Sequence, residues 1–130
     1  MLVVDASVVV PACTTGTVLD ELGDPELVAP PFMWAEARSS LHEAVWRGEL
    51  PALIGRHANE RLQAAPIRAE APNDLGVEAW RIADELGWAK TYDAEYVALA
   101  SLLGCRLVTL DARLRRGADR TGLVTSPTEL

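Results

Sequence analysis

Cysteine is nearly missing from this chain: 130 residues contain only Cys13 and Cys105. Their spacing matches neither a metal knuckle nor a disulfide framework, so the fold must be held by its own core. The two thiols read as small buried hydrophobes of an intracellular protein. Lysine is scarcer still, with Lys90 the only one among 12 basic residues, and 19 Asp and Glu leave a net charge of −7. That balance excludes a general polyanion binder, unless several carboxylates share a pocket where divalent cations neutralise them. No apolar run reaches the ~20 residues of a membrane span. The apolar start, Met1 to Cys13, has no basic n-region and carries Asp5, so it does not read as a signal peptide. The chain is expected to be soluble and cytoplasmic, with no membrane partner. Repeats, low-complexity tracts and linkers are also lacking. We therefore expect a single domain over residues 1–130, long enough to bury about two-thirds of its unfolded surface. Hydrophobic residues, at 49%, are too plentiful for a disordered chain.

What is present alternates short apolar runs with helical periods. Leu2-Val3-Val4 is unbroken by polar residues, as in a strand covered on both faces. A helix is expected from about Ser7. Leu27-Val28-Ala29 reads as a second strand, stopped by Pro30-Pro31. Met33, Ala37, Leu41, Ala44 and Val45 recur at helical spacing between Phe32 and Trp46, and Pro51 opens a further helix to about Ala64. Ile67 to Ala69 reads as a third strand. Helices follow from Asn73 or Asp74 to Leu86 and from Thr91 or Tyr92 to Leu103, each closed by a glycine. Leu107 to Leu110 is a fourth strand, Asp111 to Arg116 a short helix, and Leu123 to Thr125 a last strand. Strands separated by helices predict a parallel sheet with helices on both faces. The two consecutive helices after the second strand are expected to form a hairpin that projects from it.

Two of the clearest strands run straight into an aspartate: Val4 into Asp5 and Leu110 into Asp111. In an open parallel sheet, ligands bind beyond the carboxyl ends of the strands, where strand order reverses. Each aspartate could equally serve only as a helix N-cap. Glu36 lies one turn into the helix after strand two, and Asp93 lies in the first turn of the helix before strand four. There acidic residues also favour the helix dipole. In a right-handed winding all four face the same edge of the sheet. Gathered in one pocket they would repel one another unless protons or cations joined them. Hard oxygen donors suit Mg²⁺ or Mn²⁺, which can activate water against a phosphodiester. Glu26, Glu43, Asp84 and Glu95 have no such placement and read as solvated surface.

The same residues resemble the motifs of PIN-domain nucleases. Val3-Val4-Asp5-Ala6-Ser7 is similar to their Asp-x-Ser opening and Trp34-Ala35-Glu36 to their second acidic motif. Tyr92 to Ala100 resembles the third motif, and Val108-Thr109-Leu110-Asp111 the fourth, Thr-x-Asp. Order, spacing and length resemble the VapC-type toxins of bacterial toxin–antitoxin pairs over essentially the whole chain. The resemblance implies a three-layer α/β/α sandwich with a five-stranded parallel sheet and Mg²⁺- or Mn²⁺-dependent endoribonuclease activity. It also implies an RNA substrate, a small antitoxin that blocks the site, and pairing into a homodimer. The family's acidic ligands map to Asp5, Glu36, Asp93 and Asp111, and its supporting hydroxyls to Ser7 and Thr109. Pro11 to Gly16 departs from the pattern, standing where a longer apolar helix is expected, and this bears on the rim of the pocket.

Other residues invite roles. Arg113, Arg115, Arg116 and Arg120 follow Asp111 closely; they are either an RNA-phosphate grip or, as base rates favour, a solvated face paired with acids. Arg106 and Lys90 are weaker versions of the same choice. His42 and His57 lie away from the strand ends and are not expected to act as bases. Trp34, Trp46, Trp80 and Trp88 could stack on bases but fit core or interface packing better, with Trp34 and Trp46 as interface candidates. Two other functions use similar parts. A phospho-acceptor signalling domain would carry adjacent acids after strand one and a lysine ending its last strand. Here Asp5 stands alone and Lys90 precedes a helix. A PIN-like domain that binds a partner without cutting is the third option, and the complete set of four acids argues against it.

Overall fold

The computed structural model describes residues 1–16 and 18–130. Its chain order is β1 (Leu2–Val4), α1 (Ala6–Thr15), β2 (Leu27–Ala29), α2 (Phe32–Trp46), α3 (Ala52–Ala64), β3 (Ile67–Ala69), α4 (Leu75–Leu86), α5 (Tyr92–Leu103), β4 (Arg106–Val108), α6 (Ala112–Gly117) and β5 (Val124–Thr125). Single 3₁₀ turns lie at Asp20–Leu22, Asp119–Thr121 and Pro127–Glu129. The strands form one sheet in the order β3-β2-β1-β4-β5, every pairing parallel. Val3 and Val4 at its centre, with Val28, Leu107 and Val108 beside them, are wholly buried, as strands covered on both faces must be.

Right-handed crossovers dictate the layers. The chain steps from β1 to β2 to β3 in one direction, so α1, α2 and α3 cover one face, where they pack on one another. It then returns past β1 to β4 and β5, which puts α4 and α5 on the other face, with α5 against β1 and β4. The result is an α/β/α sandwich whose strand order reverses between β1 and β4, at the carboxyl ends that carry Asp5 and Thr109. The middle of helix α5 is core: Ala94, Tyr96, Val97, Ala98, Leu99 and Ala100 are at most 1% exposed. A helix with so tightly packed a middle is fixed in rotation, and with it the direction of Asp93 and Tyr96. Gly104, in the left-handed region at φ 66°, ends α5 and lets the chain turn directly into β4.

Three details differ from the sequence reading. β4 stops at Val108, two residues short of Leu110; the Thr109 N–H still reaches Thr125 O at 3.0 Å, while its hydroxyl turns to Asp5. The α2–α3 pair does not project as a whole. Met33, Ala37, Leu41, Ala58 and Leu62 bury its near half beside α1, and Trp46, 82% exposed, stands at its far end. Trp34, expected at an interface, is half-buried against the core. Both cysteines are free thiols, Cys13 buried and Cys105 half-buried.

Truncating a central strand should therefore cost far more than trimming the surface. Leu107→Ala is expected to lower the unfolding free energy by about 2–5 kcal/mol. Glu60→Ala, on the exposed side of α3, should stay within about 0.5 kcal/mol of the parent in the same urea titration.

Candidate active site

The residue after β1 is Asp5, which is buried. It is the N-cap of α1, as its side chain accepts from the Val8 N–H at 3.3 Å. The cap does not exhaust its chemistry. Ser7 Oγ donates to Asp5 Oδ1 at 2.6 Å, and Thr109 Oγ1 donates to Oδ2 at 2.5 Å. Ser7 Oγ in turn accepts the Leu110 N–H at 2.8 Å, and Thr109 Oγ1 accepts the Asp111 N–H at 3.0 Å. The two hydroxyls thus tie the start of α1 to the end of β4 through one carboxylate. Of the roughly four lone-pair positions on a carboxylate, three are taken among the described residues, leaving one on Oδ2. Asp111 is likewise a cap: its Oδ1 accepts from Arg113 N at 2.9 Å and Leu114 N at 3.2 Å, and its Oδ2 has no hydrogen bond among the described residues. Capping and site-building are the same act at both positions.

Glu36, on the second turn of α2, accepts the Tyr96 hydroxyl at Oε1, 2.6 Å away. Asp93, in the first turn of α5, is half-buried and has no hydrogen-bond partner among the described residues. All four acids line one cavity of 380 Å³, together with Ser7, Val10, Pro11, Ser40 and Tyr96. The electrostatics are those of crowded, desolvated anions. Burial is the main force lifting the Asp5 carboxyl to about 6; the Ser7 and Thr109 hydroxyls and the Val8 amide hold it down, and the Glu36 charge pushes it further up. Burial, then the charge of Asp111, raises Asp93, against the pull of Arg113. Tyr96, largely desolvated and bonded to Glu36, is driven well above an ordinary phenol and stays protonated as a donor. The carboxylates line walls rather than closing a cage: among the described residues no three His, Cys, Asp or Glu side chains converge tightly enough to hold one ion.

The remaining sequence candidates separate by partner. Arg113 stands near Asp93 and lines an adjoining cavity. Arg115 forms a two-pronged ion pair with Glu129, and neither it nor Arg116 lines either cavity. Arg120 donates to the Glu85 carbonyl. His42 lines a groove between α2 and α3, away from the acids, and His57 lines none of these hollows. Glu95, read as solvated surface, is half-buried. Pro11 sits inside α1, which runs on to Thr15 and closes on Gly16. It lacks the N–H that would reach the Ser7 carbonyl, and its ring forms part of the cavity rim. The sequence reading missed Tyr96 and Ser40 as site residues. Both were in reach of it: Tyr96 follows Asp93 by three positions and Ser40 follows Glu36 by four, the spacings that share a helix face.

A parallel α/β/α sandwich with acids gathered at its switch point is the plan of a carboxylate nuclease. The family model of the PIN domain matches residues 2–120, and the chain belongs to that family. It is 34% identical over 115 residues to Ribonuclease VapC9 of Mycobacterium tuberculosis and to VapC ribonuclease Mb0985 of Mycobacterium bovis, covering 88% of this chain and 88% of each relative. A crystal structure of PAE2754 from Pyrobaculum aerophilum superposes with a TM-score of 0.73 at 26% identity, covering 98% of this chain and 91% of that one.

The raised Asp5 carboxyl makes the site a cost to stability. The folded chain binds the Asp5 proton up to about pH 6, whereas an unfolded one releases it near 3.8. Stability from this group is therefore full below about pH 4 and is lost as pH rises through 6. In EDTA at pH 7.5, Asp5→Asn should be about 1–3 kcal/mol more stable than the parent. The gain should vanish near pH 4, as read by urea unfolding at each pH. Thr109→Val should move the Asp5 carboxyl titration upward from about 6, as read by carbon NMR.

Proposed function

We propose that the chain is an endoribonuclease of the VapC type, and that Asp5, Glu36, Asp93 and Asp111 hold the divalent cation on which cleavage depends. The observation that carries this reading is Asp93: a half-buried carboxylate without a hydrogen-bond partner among the described residues, facing the Asp111 charge across a shared cavity. Such a group gains from a nearby cation. The donor set fits one. Free oxygen positions remain on Asp5, Glu36 and Asp111, and open carboxylate walls suit an ion that keeps much of its own water, the habit of Mg²⁺ and closely of Mn²⁺. A divalent cation bound there supplies positive charge to the phosphodiester and acidifies water for its attack.

The protein's own groups do the positioning. Asp5 and Asp93 are the primary ligands in this reading, and Glu36 and Asp111 complete the set directly or through water. Ser7 and Thr109 fix the Asp5 carboxylate by hydrogen bonds, and Tyr96 does the same for Glu36. Arg113 stands at the mouth, where it meets RNA phosphate; Arg115 and Arg116 reach it only if the Glu129 pair opens or the strand extends along α6. The chain pairs with a second copy, a reading supported by Val77 and Trp80, 76% and 68% exposed on α4. A small antitoxin covers the acids in the resting complex. No helix among the described residues is long and apolar enough to cross a membrane, which suits a cytoplasmic nuclease.

Purified chain should cut RNA with Mg²⁺ or Mn²⁺ and stop in EDTA. Asp93→Asn should cost more than the about 10–100-fold lost when a residue acts only through a ligand, and Thr109→Ala should fall within that range, both with unchanged circular dichroism. Saturating Mg²⁺ should stabilise the parent by about 2.7 kcal/mol at a hundredfold excess over its Kd, and Asp93→Asn much less. Asp5→Asn or Asp93→Asn protein that cuts RNA at the parental rate would sink the assignment.

A further inference from the structure

A second, larger hollow of 650 Å³ opens beside the acidic cavity and shares Glu36 and Asp93 with it, so the two form one continuous trough. Its chemistry is different. The other polar lining is cationic, from Lys90 and Arg113, and the broad surfaces are the rings of Trp88 and Tyr92. In a chain of net charge −7 it is notable that two cations face one hollow. Arg47, Arg68, Arg81 and Arg115 are tied into ion pairs, but Lys90 and Arg113 have none among the described residues. The rings are braced from behind. Tyr92, 58% exposed, rests tilted on Phe32 with ring centroids 5.8 Å apart, and Phe32 in turn packs on Tyr96 at 5.0 Å. Trp88 lies so close to α6 that a Cβ on Gly117 would sit 3.1 Å from its Cζ2. An exposed ring held rigid on one face and open on the other is a stacking platform, and a free cation beside it is a phosphate contact.

We propose that this hollow is a nucleotide subsite for the RNA flanking the cleaved bond, with a base stacked on Tyr92 and adjoining phosphates held by Lys90 and Arg113. It rests on the reading of the acidic cavity as the cleavage centre, and it answers how an acidic protein keeps hold of a polyanion. The grip is local: two cations stand at the mouth of the site, against a net charge of −7 over the whole chain. Stacking tolerates any base, so this subsite retains strand without choosing sequence. Trp88 forms the floor, and Gly117 leaves it room.

The test reads binding without cleavage, by fluorescence anisotropy of a labelled, short single-stranded oligouridylate in EDTA over a salt series. Tyr92→Ala should weaken binding about tenfold, within the span of one stacked base, and Tyr92→Phe should restore it. Lys90→Ala and Arg113→Ala should each flatten the dependence of log K on log salt by about 0.7, the share of one single-strand phosphate. Arg106→Ala, at the opposite edge of the sheet, should change neither. Tyr92→Ala binding as the parent does, or Arg106→Ala losing as much as Lys90→Ala, would overturn the subsite. Because no cleavage is measured, either result leaves the assignment of the acids standing, and inert acids would leave this result unchanged.

Discussion

The hydrogen bonds from Ser7 and Thr109 onto the Asp5 carboxylate are the contact on which the site depends. Together with the Leu110 N–H bonded to Ser7 Oγ, they join the end of β1, the start of α1 and the end of β4. Burial alone would neutralise Asp5. The donors hold its pKa to about 6, low enough for the carboxylate to be charged at neutral pH. The site is thus a compromise between desolvation, which makes a carboxylate hungry for a counter-charge, and hydrogen bonding, which keeps it ionised. The sheet supplies the frame, since only adjacent parallel strands bring Val4 and Val108 into register and so set Asp5 beside Thr109.

The other acids reach the same cavity by different supports. Asp111 borrows the N-terminus of α6, Glu36 leans on Tyr96, and Asp93 is aimed by a helix locked in the core. Uneven support has a chemical meaning. Asp5 and Glu36 are held by neutral hydroxyl donors, whereas Asp93 is left with a like-charged neighbour and one arginine.

The placement of the four acids was legible in the sequence because each sits beside a feature with a strong local signal. A β-branched run ends at Val4 or shortly before Asp111, and a helical period begins near Phe32 or Tyr92. Periodicity also gave the sheet and its layers. What it could not give were contacts between side chains far apart in the chain. The Tyr96–Glu36 bond and the Arg115–Glu129 pair leave no local trace. The Thr109 hydroxyl bond to Asp5, 104 residues away in the chain, leaves no local trace either. The second hollow is assembled from the segment between α4 and α5, the start of α5, α6 and Glu36 of α2, and only their packing reveals it.

The register of β1 against β4, Leu2 opposite Arg106, has a consequence for biogenesis. The first strand to leave the ribosome must wait for the last quarter of the chain before its second edge is covered. Until Thr109 and Asp111 emerge, Asp5 lacks a donor, Asp93 lacks its neighbour, and the trough has one wall. Such long-range pairing is slow to close. A growing chain therefore carries Asp5 and Glu36 long before the segment that completes their shared cavity.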